Sequence, residues 1–207
     1  MSSAADIPSA LRTSLSNLGL DHVDLYLIHS PWILDGSPAT LQKAWAQMES
    51  LKEEGLAKSI GISNFLPEHI DAIMQTAKVP PAINQIEFHA YLQRTDLLAA
   101  HKKHGIATAA YGPLAPITKA APGPIDDYVA ALAKKYAVSE AEVLLRWCVD
   151  QDVVAITTSG KEQRLSDYLR AMTFKLSPRE IKELNEMGQK KHFRGFWTHK
   201  LGDSDRR

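Results

Sequence analysis

Several short apolar runs in this chain end on a residue able to do chemistry: His29, Ser63 with Asn64, Gln85, Tyr111 and Thr158. A histidine can give or take a proton near neutral pH. A hydroxyl beside two carboxamides offers both hydrogen-bond donors and acceptors. A tyrosine adds an aromatic face. The set does not suggest a metal centre, because the eight histidines are scattered without ligand spacing. A single cysteine, Cys148, excludes an internal disulfide and a cysteine cluster. It lies in the helical pattern LLRWCVD and reads as buried and inert, with a reducing, intracellular compartment expected. His89 in EFHAY also reads as structural.

The elements that must position these residues alternate along the chain. Strand patterns fall at 23–29, 57–62, 83–88, 106–111 and 153–157. The first helix is expected at 6–17. Ser37 reads as an N-cap with Pro38 opening a helix that Gly55 ends. Further helices start at Pro67, run over 94–104, carry Ile125, Tyr128, Val129, Leu132 and Tyr136, and cover 161–170. Ser139 with Glu142, and Ser177 with Glu180, have the spacing of capping boxes. Asp126-Asp127 and Lys134-Lys135 read as solvated helix faces.

Five strands, each followed by a helix, imply an α/β fold with a parallel sheet in one domain over 1–207. Near-continuous apolar strands imply burial on both faces. An open doubly wound sheet and a barrel both satisfy that pattern. No G-x-G-x-x-G follows a strand, which weighs against a dinucleotide-binding doubly wound fold. Polar residues gathered at the C-terminal ends of strands suit a barrel. Lys plus Arg equals Asp plus Glu at 24 each, so no charge excess points to nucleic acid or an anionic membrane. The opening segment has no signal-peptide pattern, and no apolar run is long enough to span a bilayer.

At those strand ends the sequence resembles the aldo-keto reductase family. The residues that carry the resemblance are KSIGISNF at 58–65, together with VDLYLIHSPW, INQIEFHAYL and AYGPL in the family's order. The likeness covers about residues 6–197. Within the family it is most similar to fungal α-keto amide and aldehyde reductases, on GPLAPIT, ITTSGKEQR and KHFRGFW. The resemblance implies an incomplete (β/α)8 barrel of five parallel strands with outer helices. The family's opening motif and the lysine ending its next strand have no counterpart here. Three βα units, on the order of 90 residues of a typical barrel of about 250, would be missing. Five strands cannot satisfy closure, so the first and last strands would be open edges inviting self-association.

By the same resemblance the chemistry is hydride transfer from NADPH to the carbonyl of a small aldehyde or activated ketone. Of the family's tyrosine, lysine, aspartate and histidine, only the histidine carries over, as His29. A histidine ending an apolar strand is more often structural, but the following Ser30-Pro31-Trp32 reverses that reading. Trp32 would line the substrate pocket. Ser63, Asn64 and Gln85 would bind the nicotinamide carboxamide, and Tyr111 would stack on its ring. Gly112, Pro113, Leu114, Thr158, Ser159 and Arg164 complete the expected cofactor residues. Thr158 replaces a family lysine, while Arg164 and the amides opening the 161–170 helix suit a phosphate. NADP(H) is therefore expected over NAD, with no metal and a cytoplasmic location. Two other functions fit: a non-catalytic interaction protein, for which potassium-channel β-subunits set a precedent on this fold, and a chain completed by a partner.

Overall fold

The computed structural model describes residues 6–202 and 204–206. It divides into two compact units. The first runs to Gln85 and includes Asp96–Ala107; the second comprises Ile86–Thr95 and the chain from Thr108 onward.

In the first unit, α1 (Ile7–Leu18) starts where the Asp6 carboxylate accepts the Ser9 N–H at 3.0 Å, and it stops at Gly19 with φ 65°. Its buried stripe is Ile7, Leu11 and Leu15. Then come β1 (Val23–Ile28) and a short 3-10 turn, Pro31–Leu34. Ser37 caps α2 (Pro38–Glu53), which buries Leu41, Ala44, Trp45, Met48 and Leu51, the spacing of an inward helical face. β2 (Ala57–Ser63), α3 (Pro67–Met74), β3 (Ile83–Glu87) and α4 (Thr95–His104) follow. β1 pairs with β2 in parallel from Val23↔Ala57 to Ile28↔Ile62, and β2 with β3 through Ile62↔Asn84 and Ser63↔Gln85. Gly61 permits this approach, because a Cβ there would lie 2.7 Å from the Ile83 carbonyl oxygen.

In the second unit, β4 (Ala107–Tyr111) pairs in parallel with β5 (Val153–Ala155) through Thr108↔Val153 and Ala110↔Ala155. Between them lie α5 (Ala115–Thr118), α6 (Asp126–Tyr136) and α7 (Glu140–Val149). α8 (Glu162–Leu169), α9 (Pro178–Gly188) and α10 (Thr198–Leu201) come after β5. Phe88 and Trp147 stack at 5.0 Å in its core. The sheet has five strands in the order β1-β2-β3-β4-β5. Among the described residues no helix is long and apolar enough to cross a membrane.

Some details depart from the sequence pattern. β5 ends at Ala155, two residues early. Burial on both faces fails at the end strands: Leu25 of β1 is 43% exposed and Val154 of β5 is 54% exposed. A terminal strand has no neighbour on one side to cover it. The paired charges on α6 are not merely solvated. Asp126 Oδ2 accepts the Gly123 N–H at 2.8 Å, and Lys135 reaches Glu180 at 2.6 Å. Helical periodicity marks which face is polar but not which distant carboxylate comes to meet it.

Glu180 has a measurable consequence. Its burial raises the carboxyl pKa, but the hydrogen bonds from Lys135, from the Ser177 amide and hydroxyl and from Tyr136 outweigh this and bring it down to about 2. A depressed carboxyl pKa contributes stability above the ordinary value near 4.5, lost as pH falls towards about 2. Urea unfolding at pH 6 is expected to find Glu180→Gln less stable than the parent by about 1–3 kcal/mol. That gap should shrink steadily below pH 4.

Candidate active site

The ends of the first unit's strands lie at one level because the register is in step. Ile28↔Ile62 puts His29 beside Ser63, and Ser63↔Gln85 continues the row. At this rim the chain turns sharply. Asn64 has φ 62°, a left-handed conformation asparagine tolerates better than most residues. Its backbone N–H donates to the Gln85 carbonyl at 2.9 Å. Its side-chain amide donates to the His29 carbonyl and to Ser63 Oγ, both at 3.0 Å. The Ser63 hydroxyl donates to the Gln85 carbonyl at 2.7 Å. Ser63 and Asn64 thus brace three strand ends, using donors that the sequence reading reserved for a ligand. The Gln85 carboxamide is different: half-buried at the same rim, it makes no hydrogen bond among the described residues. The His29 residue is exposed. Ser30 is fully buried, and its hydroxyl accepts the Trp32 N–H at 3.2 Å. Trp32 meets His69 edge-on at 6.4 Å, so this tryptophan packs in its loop while remaining partly open.

In the second unit, Tyr111 ends β4, and its carbonyl accepts the Phe88 N–H at 3.3 Å. Burial first, and then Glu87, push its phenol pKa up, so it stays protonated through neutral pH. Phe196 meets its ring edge-on at 5.2 Å, a partner absent from the sequence reading. Gly112, φ 65°, turns the chain into buried Pro113 and half-buried Leu114. Leu114 lines a pocket of about 670 Å³ with Thr118, Arg164, Asp167 and Tyr168. Leu114 and Arg164, far apart in sequence, therefore border one space. Thr158 is exposed. The Ser159 hydroxyl accepts the Lys161 N–H at 3.0 Å, so one of the amides expected to await an anion is already used.

The sequence reading missed the buried carboxylate of Glu87. It is fully buried and accepts from the Gly195 N–H at 2.7 Å and the Phe196 N–H at 3.2 Å, with His89 Nε2 at 3.2 Å. Burial opposes the charge of Glu87, but His89 and the Gly195 amide overcome this and lower its pKa. His89 is therefore the buried structural residue its context suggested. The signal for Glu87 was present: a carboxylate two positions after Gln85 in a strand, sharing its face. Cys148 is fully buried and its thiol pKa is pushed up, which leaves it unreactive.

The model of the Aldo/keto reductase family matches residues 2–189. The chain belongs to the aldo/keto reductase family. It is 36% identical over 201 residues to an NAD/NADP-dependent indole-3-acetaldehyde reductase of Schizosaccharomyces pombe, covering 96% of this chain and 71% of that protein. It is 37% identical over 207 residues to an NADPH-dependent alpha-keto amide reductase of Saccharomyces cerevisiae, covering 96% and 66%. Among solved structures, an aldo-keto reductase of Bombyx mori in complex with NADP superposes with TM-score 0.80 at 33% identity, over 89% of this chain and 64% of that one. An aldo/keto reductase from Brucella melitensis gives 0.79 at 34%, over 87% and 66%. The chain thus spans about two thirds of the length of these relatives, and the five parallel strands are those of this family's (β/α)8 barrel.

The Glu87 clamp generates a prediction. Glu87→Ala leaves two amides and His89 without their buried acceptor, and breaking such a buried charged contact costs about 3–5 kcal/mol. Urea unfolding should show a loss of that order. Limited trypsin digestion should cut faster at Lys190, Lys191 and Arg194.

Proposed function

We propose that this chain is the cofactor-facing part of an NADPH-dependent reductase of aldehydes and activated ketones, a single domain over 1–207 that holds no proton donor of its own. The observation that carries the reading is the uncommitted Gln85 carboxamide at the strand-end rim, beside Ser63 and Asn64. A nicotinamide carries a carboxamide, whose donor and acceptor are complementary to those of Gln85. The fungal relatives are described as NAD/NADP- and NADPH-dependent, which supports a nicotinamide dinucleotide. NADPH, when bound, supplies the hydride.

The chain's own residues would then divide the work. Gln85 binds the carboxamide, with Ser63 and Asn64 contributing their remaining oxygen lone pairs. Tyr111 presents its ring to the nicotinamide, and Gly112, Pro113 and Leu114 carry the turn beneath. Ser159 and Thr158 lie towards the phosphates, and Arg164 takes the 2′-phosphate through its planar fork. His29 orients the carbonyl oxygen, and Trp32 lines the substrate side. A developing alkoxide needs a proton, and the other tyrosine near His29 is poorly suited. Tyr26 lies three residues back along the strand, and burial raises its phenol pKa. The exposed apolar edges at Leu25 and at Val154 and Ile156 favour self-association of such a chain. The buried, unreactive Cys148 suits the cytoplasm.

Fluorescence titration tests the cofactor assignment. NADPH should bind more tightly than NADH. Arg164→Ala should lose about 1.5–3 kcal/mol of NADPH affinity and leave NADH affinity nearly unchanged. Equal affinities for the two dinucleotides, unaltered by Arg164→Ala, would overturn it.

A further inference from the structure

The segment after β3 contains a buried arginine with no hydrogen-bond partner among the described residues. Arg94 is 5% exposed and has φ 50°, a backbone conformation that costs free energy for a side chain of its kind. Its guanidinium makes no hydrogen bond among the described residues, and its Nε is wholly buried without a partner. An arginine cannot shed its proton to escape burial. Burial first, and then the neighbouring Arg194, bring its pKa down only to about 10, so it stays charged at neutral pH. A buried charge left unpaired costs several kcal/mol.

Among the described residues, no hydrogen bond joins Arg94 to the charged groups around it. Glu87 accepts from the Gly195 and Phe196 amides and faces His89. The Asp205 carbonyl accepts from the guanidinium of Arg194 rather than from Arg94. Arg94 interacts electrostatically with Arg194, Glu87 and Asp205, and Arg206 lines the same pocket as Arg94.

Arg94 lines a pocket of about 350 Å³ together with Gln93, Thr95, Gln189, His192 and Arg206. The walls are fixed. His89 and Leu92 exchange backbone hydrogen bonds at 3.3 and 2.8 Å, and the Gln93 amide donates to the Ala90 and Asn185 carbonyls, each at 2.9 Å. Gly188 seats α9 against this turn so closely that a Cβ would lie 2.2 Å from the Ala90 oxygen. His192 and Arg206 lie beyond residue 189, where the family match ends.

We propose that this pocket is a binding site for a small oxyanion, a carboxylate or a phosphate, with Arg94 as its principal ligand and Arg206 as a second cation. A planar guanidinium matches the two oxygens of either group. A rigid, preformed polar cradle also lowers the ordering cost of binding.

Thermal unfolding at constant ionic strength tests this, with inorganic phosphate and acetate each titrated against chloride. The proposal expects at least one of the two to raise Tm in a saturable way. The arm that does so identifies the anion class. Arg94→Gln should weaken that apparent affinity at least about tenfold, and Arg94→Lys should weaken it less. Arg164→Ala, which removes the cation of the separate pocket beside Leu114, should leave it unchanged. Equal effects of phosphate, acetate and chloride on the parent would overturn the proposal. So would anion stabilisation that keeps the parent's affinity in a folded Arg94→Gln variant, that is weakened more by Arg94→Lys than by Arg94→Gln, or that disappears with Arg164→Ala.

Discussion

The in-step parallel register of β1, β2 and β3 sets the geometry of the first unit's rim. Because Ile28 pairs with Ile62 and Ser63 with Gln85, three strands end at one level. Asn64 turns left-handed there and ties the His29 and Gln85 backbones together. A shift of one residue in β2 would send Ser63 to the opposite face of the sheet and dissolve the brace. Gly61 holds that register from below, since any larger residue collides with the Ile83 carbonyl.

The second unit is organised by buried charge. Glu87, taken from water at the end of β3, recovers its solvation from two amides of the 195–196 segment and from His89. The tail is thereby positioned, and Phe196 with it, edge-on to Tyr111. Lys119 sits 4.2 Å over the Phe196 ring and adds a cation–π contact. The tail of this chain is therefore part of the surroundings of Tyr111, although KHFRGFW at 191–197 lies beyond the family-model match, which ends at 189.

Much of this was legible in the sequence because it is periodic or local. The five strands, both capping boxes and the Ser37 cap follow from spacing alone. The residues at the strand ends were legible as a row of polar groups closing apolar runs. What they bond to was not. That Ser63 and Asn64 spend donors on neighbouring backbones depends on inter-strand register, which no single strand encodes. Arg94 follows an apolar turn with no period around it, so nothing local signals that α9 and the tail will bury it. Glu87 and Lys135 make the same point: each has a partner 45 or more positions away.

On the proposed function, this chain would hold the hydride cofactor but not the proton donor. The most direct measurement is NADPH oxidation with an activated ketone, comparing this chain with the same chain extended by the three βα units that the family resemblance implies. General acid catalysis is worth about 10²–10⁴-fold, so the account predicts that the extended protein turns over at least about a hundredfold faster at saturating NADPH. Equal turnover by the two proteins would contradict it and would mean that a residue of this chain protonates the alkoxide.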